Sequence, residues 1–236
     1  AECFSSVDYS TQAAKALMAR VKLGQGKKQE AAAFAEEVIS DPAFSLSDFS
    51  LIFRGETNAE EIFTYSNDIE ENGINFAREF YQPATTYVPT REVINLFVPA
   101  DKRMNISIMA DGNETVLNKY NNYASTNPIP VSRLAEMYLI SAECSGLDGG
   151  GLERLNQLRA QRGLPAVSPK TEEELLDAVL AERRLEFLGE GFRWFDLVRT
   201  GKLVTTLGME EKYTVFPIPQ AQIDLNSRLE QNDLWK

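Results

Sequence analysis

The sequence has no histidine anywhere in its 236 residues. Imidazole is the side chain that titrates near neutrality and the commonest neutral metal ligand, so a Ser-His-Asp triad, a zinc-histidine site and an imidazole proton shuttle are all excluded. Cysteine is scarce. Cys3 and Cys144 are far apart and fit neither a zinc ribbon nor a CxxC redox pair, which leaves one disulfide or two thiols as the readings. No apolar run reaches the roughly 18 residues of a membrane span, and the first residues lack the charged and apolar regions of a signal peptide. Bases are outnumbered by acids, 24 to 35, for a formal charge of −11. With no Lys/Arg-rich run to offset it, that balance argues against nucleic acid as a partner. Neither a Gly-rich phosphate loop nor a known catalytic motif occurs, and Asp148 before three glycines is too sparse for a calcium loop. No cofactor and no metal is expected.

What remains is an ordinary globular composition, 43% hydrophobic and 25% charged. Ala13, Ala14, Ala16, Leu17 and Val21 are spaced for an amphipathic helix over Thr11 to Gly24, and a second helical run follows from Gln29 to Ile39. Gly24 and Gly26 break the two, and Ala19 and Ala31 then fall at the small-residue contacts of a tetratricopeptide-like unit. Val131 to Ser145 and Leu152 to Arg162 read as a second helical hairpin joined at Gly149 to Gly151. Between the hairpins the texture changes. Glu61 to Ser66, Asn105 to Met109 and Thr115 to Tyr120 favour strands, and Thr90 caps a short helix to Phe97. Lys212 to Phe216 reads as a strand, and Pro217-Ile218-Pro219 forces an extended path.

Charge and aromatics are densest from Arg183 to Leu203. Arg183 falls on the apolar stripe of Leu176, Val179, Leu180 and Phe187, so it must find a partner. Glu186 lies one helical turn on, and Asp196 one turn before Arg199, which predicts two structural ion pairs, Arg183 with Glu186 and Asp196 with Arg199. The alternative for this stretch is a buried acid-base site.

ERRLEF, EGFRWFDLVRTGKL and FPIPQAQIDLNSRLEQN resemble, in that order, the carboxy-terminal signature of the SusD/RagB family of outer-membrane nutrient-binding lipoproteins. RLAEMYLISAE at 133–143, LNQLRAQRGLP at 155–165 and the helical repeat at 13–40 extend the likeness. Asp101 and Arg103 resemble the family's Asp-x-Arg motif, for which a local ion pair is the simplest account. The resemblance implies a mostly α fold, tetratricopeptide-like helical hairpins carrying a loop-rich insertion with a few short strands. It implies a single SusD-like domain: a hairpin at 11–40, the insertion at 41–130, a hairpin and signature helices at 131–203, and an extended tail at 204–236. It also implies a surface-exposed outer-membrane lipoprotein that passes an oligosaccharide to a SusC-like TonB-dependent transporter. Cys3 follows Glu2, a poor context for lipid attachment, so the chain reads as amino-terminally truncated, with membrane contact only through an anchor it lacks.

Sugars are gripped by aromatic faces over their C–H surfaces and by amides or guanidiniums at their hydroxyls. The 67–89 connection offers that mixture, as does the cluster at Tyr120 to Tyr123. Asn75, Arg78, Tyr81, Tyr87 and Tyr123 are the candidate ligand-binding residues. Phe76 and Phe80, four apart, read as the buried face of a short helix. Three other functions are open on the residues alone: a RagB-like peptide binder, a helical-repeat adaptor, and a glycosidase with two carboxylates about 5–10 Å apart.

Overall fold

The computed structural model describes residues 10–54, 56, 58–65, 87–120 and 129–236. They divide into two compact units, one ending at Glu190 and the other running from Gly191 to Lys236. The fold is mostly α, as the sequence implies.

In the first unit, helix α1 (Thr11–Gly24) starts where the Ser10 hydroxyl accepts from the Ala13 N–H at 3.0 Å. It buries Ala13, Ala16, Ala19 and Leu23. Helix α2 (Lys28–Ile39) answers with Ala31, Ala35 and Val38, all 0% exposed. With methyl groups on both sides of the seam, the two backbones approach closely. The surface this pair leaves is covered by α3 (Leu134–Ser145), whose residues from Leu134 to Ile140 and on to Glu143 are nearly all buried. A helix withdrawn from water on most sides belongs at the centre of a bundle. Two charge clamps fix it there. Arg20 of α1 grips both oxygens of Glu136 at 2.7 and 2.6 Å, and Arg154 of α4 (Gly151–Gln161) pairs with Glu36 of α2, which also accepts from Ser141.

The α3–α4 turn needs glycine for space. A Cβ on Gly151 would stand 2.3 Å from the Ala142 carbonyl oxygen. Helix α5 (Glu172–Glu186) is capped by Thr171, whose hydroxyl accepts from Glu174 N–H at 3.1 Å, and carries three glutamates in its first turn against the positive end of the helix dipole.

Among the described residues, this unit also holds two antiparallel ribbons: β1 (Glu61–Tyr65) with β4 (Ile129–Arg133), and the hairpin β2 (Ile108–Asp111) with β3 (Glu114–Leu117). Three expectations are corrected here. The helix expected from Val131 begins at Leu134, because 129–133 pairs with β1. The strand expected at 105–109 starts at Ile108, after a helical turn over Met104–Ser107. In the second unit, Lys212 to Phe216 holds a 3-10 turn over Glu211–Thr214 rather than a strand. That unit opens with α6 (Arg193–Arg199), followed by short helices at Leu203–Leu207 and Gln220–Leu225. Prolines 217 and 219 offer no N–H, and the Gln231 amide takes both backbone groups of the intervening Ile218, accepting at 2.8 Å and donating at 2.9 Å. The Trp235 indole donates to Val215 O at 2.9 Å and meets Tyr213 edge-on at 5.4 Å.

Candidate functional site

Four segments of the first unit deliver arginines or acids to one interior point. The Glu186 carboxylate, at the last residue of α5, is wholly buried. Its Oε1 accepts from Arg133 Nη1 at 2.7 Å and Arg162 Nη2 at 3.0 Å; its Oε2 accepts from Arg103 Nη1 and Arg162 Nε, each at 3.1 Å. Arg133 ends β4, Arg162 caps α4, and Arg103 opens the helical turn before β2. The Arg103 segment is held against α4 by Lys102 N–H donating to Arg162 O at 3.0 Å. Gly163, at φ +80°, allows that contact, since a Cβ there would meet Ala100 O at 2.6 Å.

A second ring of acids surrounds the arginines. Asp101 takes Arg103 side-on with two bonds of 2.9 Å, and Glu182 bridges Arg103 and Arg159 at 2.7 and 2.6 Å. Glu60 bridges Arg133 and Arg162, and Glu190 joins Arg133 to Lys119. The Lys119 ammonium also donates to Glu186 O at 2.7 Å. Among the described residues, five acids (Glu60, Asp101, Glu182, Glu186, Glu190) face five cations (Arg103, Lys119, Arg133, Arg159, Arg162), so the charges of these ten groups cancel. Aromatic faces close it: Phe49 lies 5.1 Å from the Arg162 guanidinium, Phe53 4.9 Å from Lys119 Nζ, and Phe187 5.2 Å from Arg133.

Electrostatics follow from this packing. Burial alone would push the Glu186 carboxyl up, but Arg162, Arg133 and Arg103 together hold it well below the usual carboxylate range. Burial also drives Lys119 down to about 8, against the pull of Glu190 and with help from Arg133. An ionised carboxylate whose oxygens are both taken by arginines has no lone pair to offer a substrate. The lattice braces the fold.

The pairing expected between Arg183 and Glu186 is corrected. A carboxylate offers about four acceptor positions, and three arginines from other elements fill those of Glu186. Arg183 is buried with its guanidinium 5.0 Å from the Phe187 ring. In the second unit, Asp196 Oδ1 accepts from Arg199 Nε at 3.1 Å and Nη2 at 2.8 Å, while Asp101 and Arg103 do form a pair, within a larger network than a local one. Of the candidate ligand-binding residues, Tyr87 is 60% exposed, on the irregular stretch leading to Thr90. Asn75, Arg78, Tyr81 and Tyr123 lie outside the described residues, as do Phe76 and Phe80. Tyr120 stands edge-on to Phe53 at 5.7 Å.

Reasoning from spacing missed Glu60, Lys119, Arg133, Arg162 and Glu190. The signal was in the motifs themselves. Arg133 opens RLAEMYLISAE, Arg162 lies in LNQLRAQRGLP, Glu182 and Glu186 lie in ERRLEF, and Glu190 opens EGFRWF.

A fold of helical hairpins braced by this lattice defines a class, and comparison with known proteins names it. Residues 50–213 match the SusD family, and the chain belongs to it. It is 34% identical over 156 residues to the SusD-like protein P38 of Formosa agariphila, covering 56% of this chain and 31% of that protein. It is likewise 34% identical over 123 residues to the starch-binding protein SusD of Bacteroides thetaiotaomicron, covering 46% of this chain and 22% of the other. Among solved structures, surface glycan-binding protein A from Bacteroides uniformis superposes with a TM-score of 0.81 at 23% identity, over 98% of this chain and 62% of that one. The matches thus span less than a third of the curated relatives' length.

Proposed function

We propose that this chain is part of a non-catalytic cell-surface protein that captures an oligosaccharide and delivers it to a SusC-like TonB-dependent transporter in the outer membrane, to which a lipid anchor holds it. The observation that carries this reading is membership of the SusD family over residues 50–213. The fold shared with a surface glycan-binding protein over 98% of the chain supports it. Among the described residues no helix is long and apolar enough to cross a membrane. The exposed Tyr87 ring is the described member of the proposed ligand-binding set, and Asn75, Arg78, Tyr81 and Tyr123 belong to it on their aromatic, amide and guanidinium chemistry alone.

Calorimetry with a panel of oligosaccharides, neutral glucans and acidic chains alike, tests the reading. Binding without release of shorter sugars is expected, and Tyr87→Ala weakens it about 2- to 10-fold, the worth of one aromatic stacking contact. Silence of the intact protein across the panel, or peptides alone recovered with the purified protein, overturns the oligosaccharide assignment. Sugar cleavage overturns the non-catalytic one.

A further inference from the structure

Six arginines of the described residues, Arg20, Arg103, Arg133, Arg154, Arg159 and Arg162, are paired with carboxylates. Arg54 is different. It follows the one-turn helix Phe49–Ile52, is half-buried, and its acceptors are main-chain carbonyls. Nη1 donates to Phe53 O at 3.3 Å and Lys119 O at 2.9 Å, and Nη2 donates to Asn118 O at 3.1 Å. A guanidinium has five N–H donors. Three are used, which leaves Nε–H and one Nη2–H without a protein acceptor among the described residues.

Those carbonyls are fixed. Phe53 is buried and packed edge-on against Tyr120, and the Asn118 side chain is tied to Asn105 O at 2.7 Å at the exit of β3. The neighbouring cation, Lys119, points its ammonium into the lattice at Glu190. Carbonyl dipoles orient a cation but leave its charge uncompensated, so the half-exposed fork presents a fixed positive group that an arriving anion can pair with. Burial lowers the Arg54 pKa, and among the described residues no acid raises it.

We propose that Arg54 anchors an oxyanion of the ligand, so that the oligosaccharide this protein captures is an acidic one, bearing a uronic-acid carboxylate or a sulfate ester. Both present paired oxygens to a planar N–H fork. This rests on the oligosaccharide reading above and narrows it. The chain's −11 charge does not forbid it, because at about 0.1 M salt the surrounding acids are screened beyond roughly 10 Å.

The test observes Arg54 directly in the wild-type full chain, by side-chain Nε–Hε NMR with the resonance assigned through Arg54→Lys. Glucuronate and glucose 6-sulfate each move the Arg54 signal, and glucose leaves it in place; whichever acid acts at lower concentration identifies the natural oxyanion. A signal unmoved by either acid, or moved equally by glucose, overturns the proposal. A stronger response to trialanine than to either sugar acid overturns it in favour of a peptide carboxylate. In calorimetry, oligogalacturonate or a sulfated oligosaccharide binds about 10- to 100-fold tighter than the neutral chain of equal length, the range for a hydrogen bond to a charged group. Arg54→Gln removes that preference, and a preference that survives the substitution overturns the assignment. Neutral oligosaccharides bound with Arg54 unmoved remove this inference and leave the oligosaccharide reading standing. An Arg54 response to glucuronate with no oligosaccharide bound at all supports the fork and removes that reading.

Discussion

At the residue scale, the decisive side chain is Glu186, and its substitution separates charge from shape. Glu186→Gln keeps the volume and leaves three buried arginines short of a counter-charge. Breaking a buried pair from one side costs about 3–5 kcal/mol, so the variant should lose stability of that order by urea denaturation, or fail to fold. The pH dependence has a defined sign. The folded-state pKa of Glu186 is depressed, so its contribution is complete above the ordinary carboxylate value of 4.5 and is lost as pH falls below it toward the folded value. Unfolding midpoints measured from pH 5 to 3 should fall more steeply for the wild type than for any folded Glu186→Gln protein. Lys119 acts at the other end of the scale. Its pKa drops from 10.5 unfolded to about 8 folded, so the unfolded state holds the extra proton between those values and stability rises with pH across that window. Lys119→Met should flatten this rise, and an unchanged slope from pH 8 to 10 would refute the assignment.

At the scale of elements, the helices were legible and most pairings were not. Alanines at helical spacing announce α1 and α2, and Thr90 announces the short helix that follows it, because these signals lie within a few residues of what they specify. The β1–β4 ribbon joins strands distant in sequence, so nothing near Val131 reveals that its backbone is claimed by β1. The lattice was half legible for the same reason. An i,i+3 rule sees Arg183 beside Glu186 but cannot see three arginines arriving from elsewhere. The Asp196–Arg199 spacing, with both partners on one short helix, is where such a rule works. Of the ligand-binding candidates, only Tyr87 lies where exposure can be stated, and its neighbours in the 67–89 connection stand on composition alone. A test of element packing is Gly151→Ala. The added methyl collides with the Ala142 carbonyl, which cannot move without breaking α3, and a loss of about 1–3 kcal/mol is expected by thermal denaturation.

For the whole molecule, the lattice ties β4, the ends of α4 and α5, the Asp101 to Lys119 stretch and the Glu60 segment into one interior knot. Surface pairs such as Lys15–Glu37 weaken as salt rises, while charges sealed beneath Phe49, Phe53 and Phe187 are shielded from ions. Raising sodium chloride from about 0.1 to 1 M should therefore leave the wild-type unfolding midpoint nearly unchanged, whereas a large fall would show that the charges are reached by solvent.

The neutrality of that knot also constrains how such a sequence can drift through evolution. Five positive and five negative groups cancel only as a set, so no member can lose its charge alone without stranding another in a dry interior. A lineage could reach an oily centre in its place only by changing several distant codons at once. An ionic centre of this kind is thus easier to keep than to replace, whether or not it is the most stable filling the space could hold.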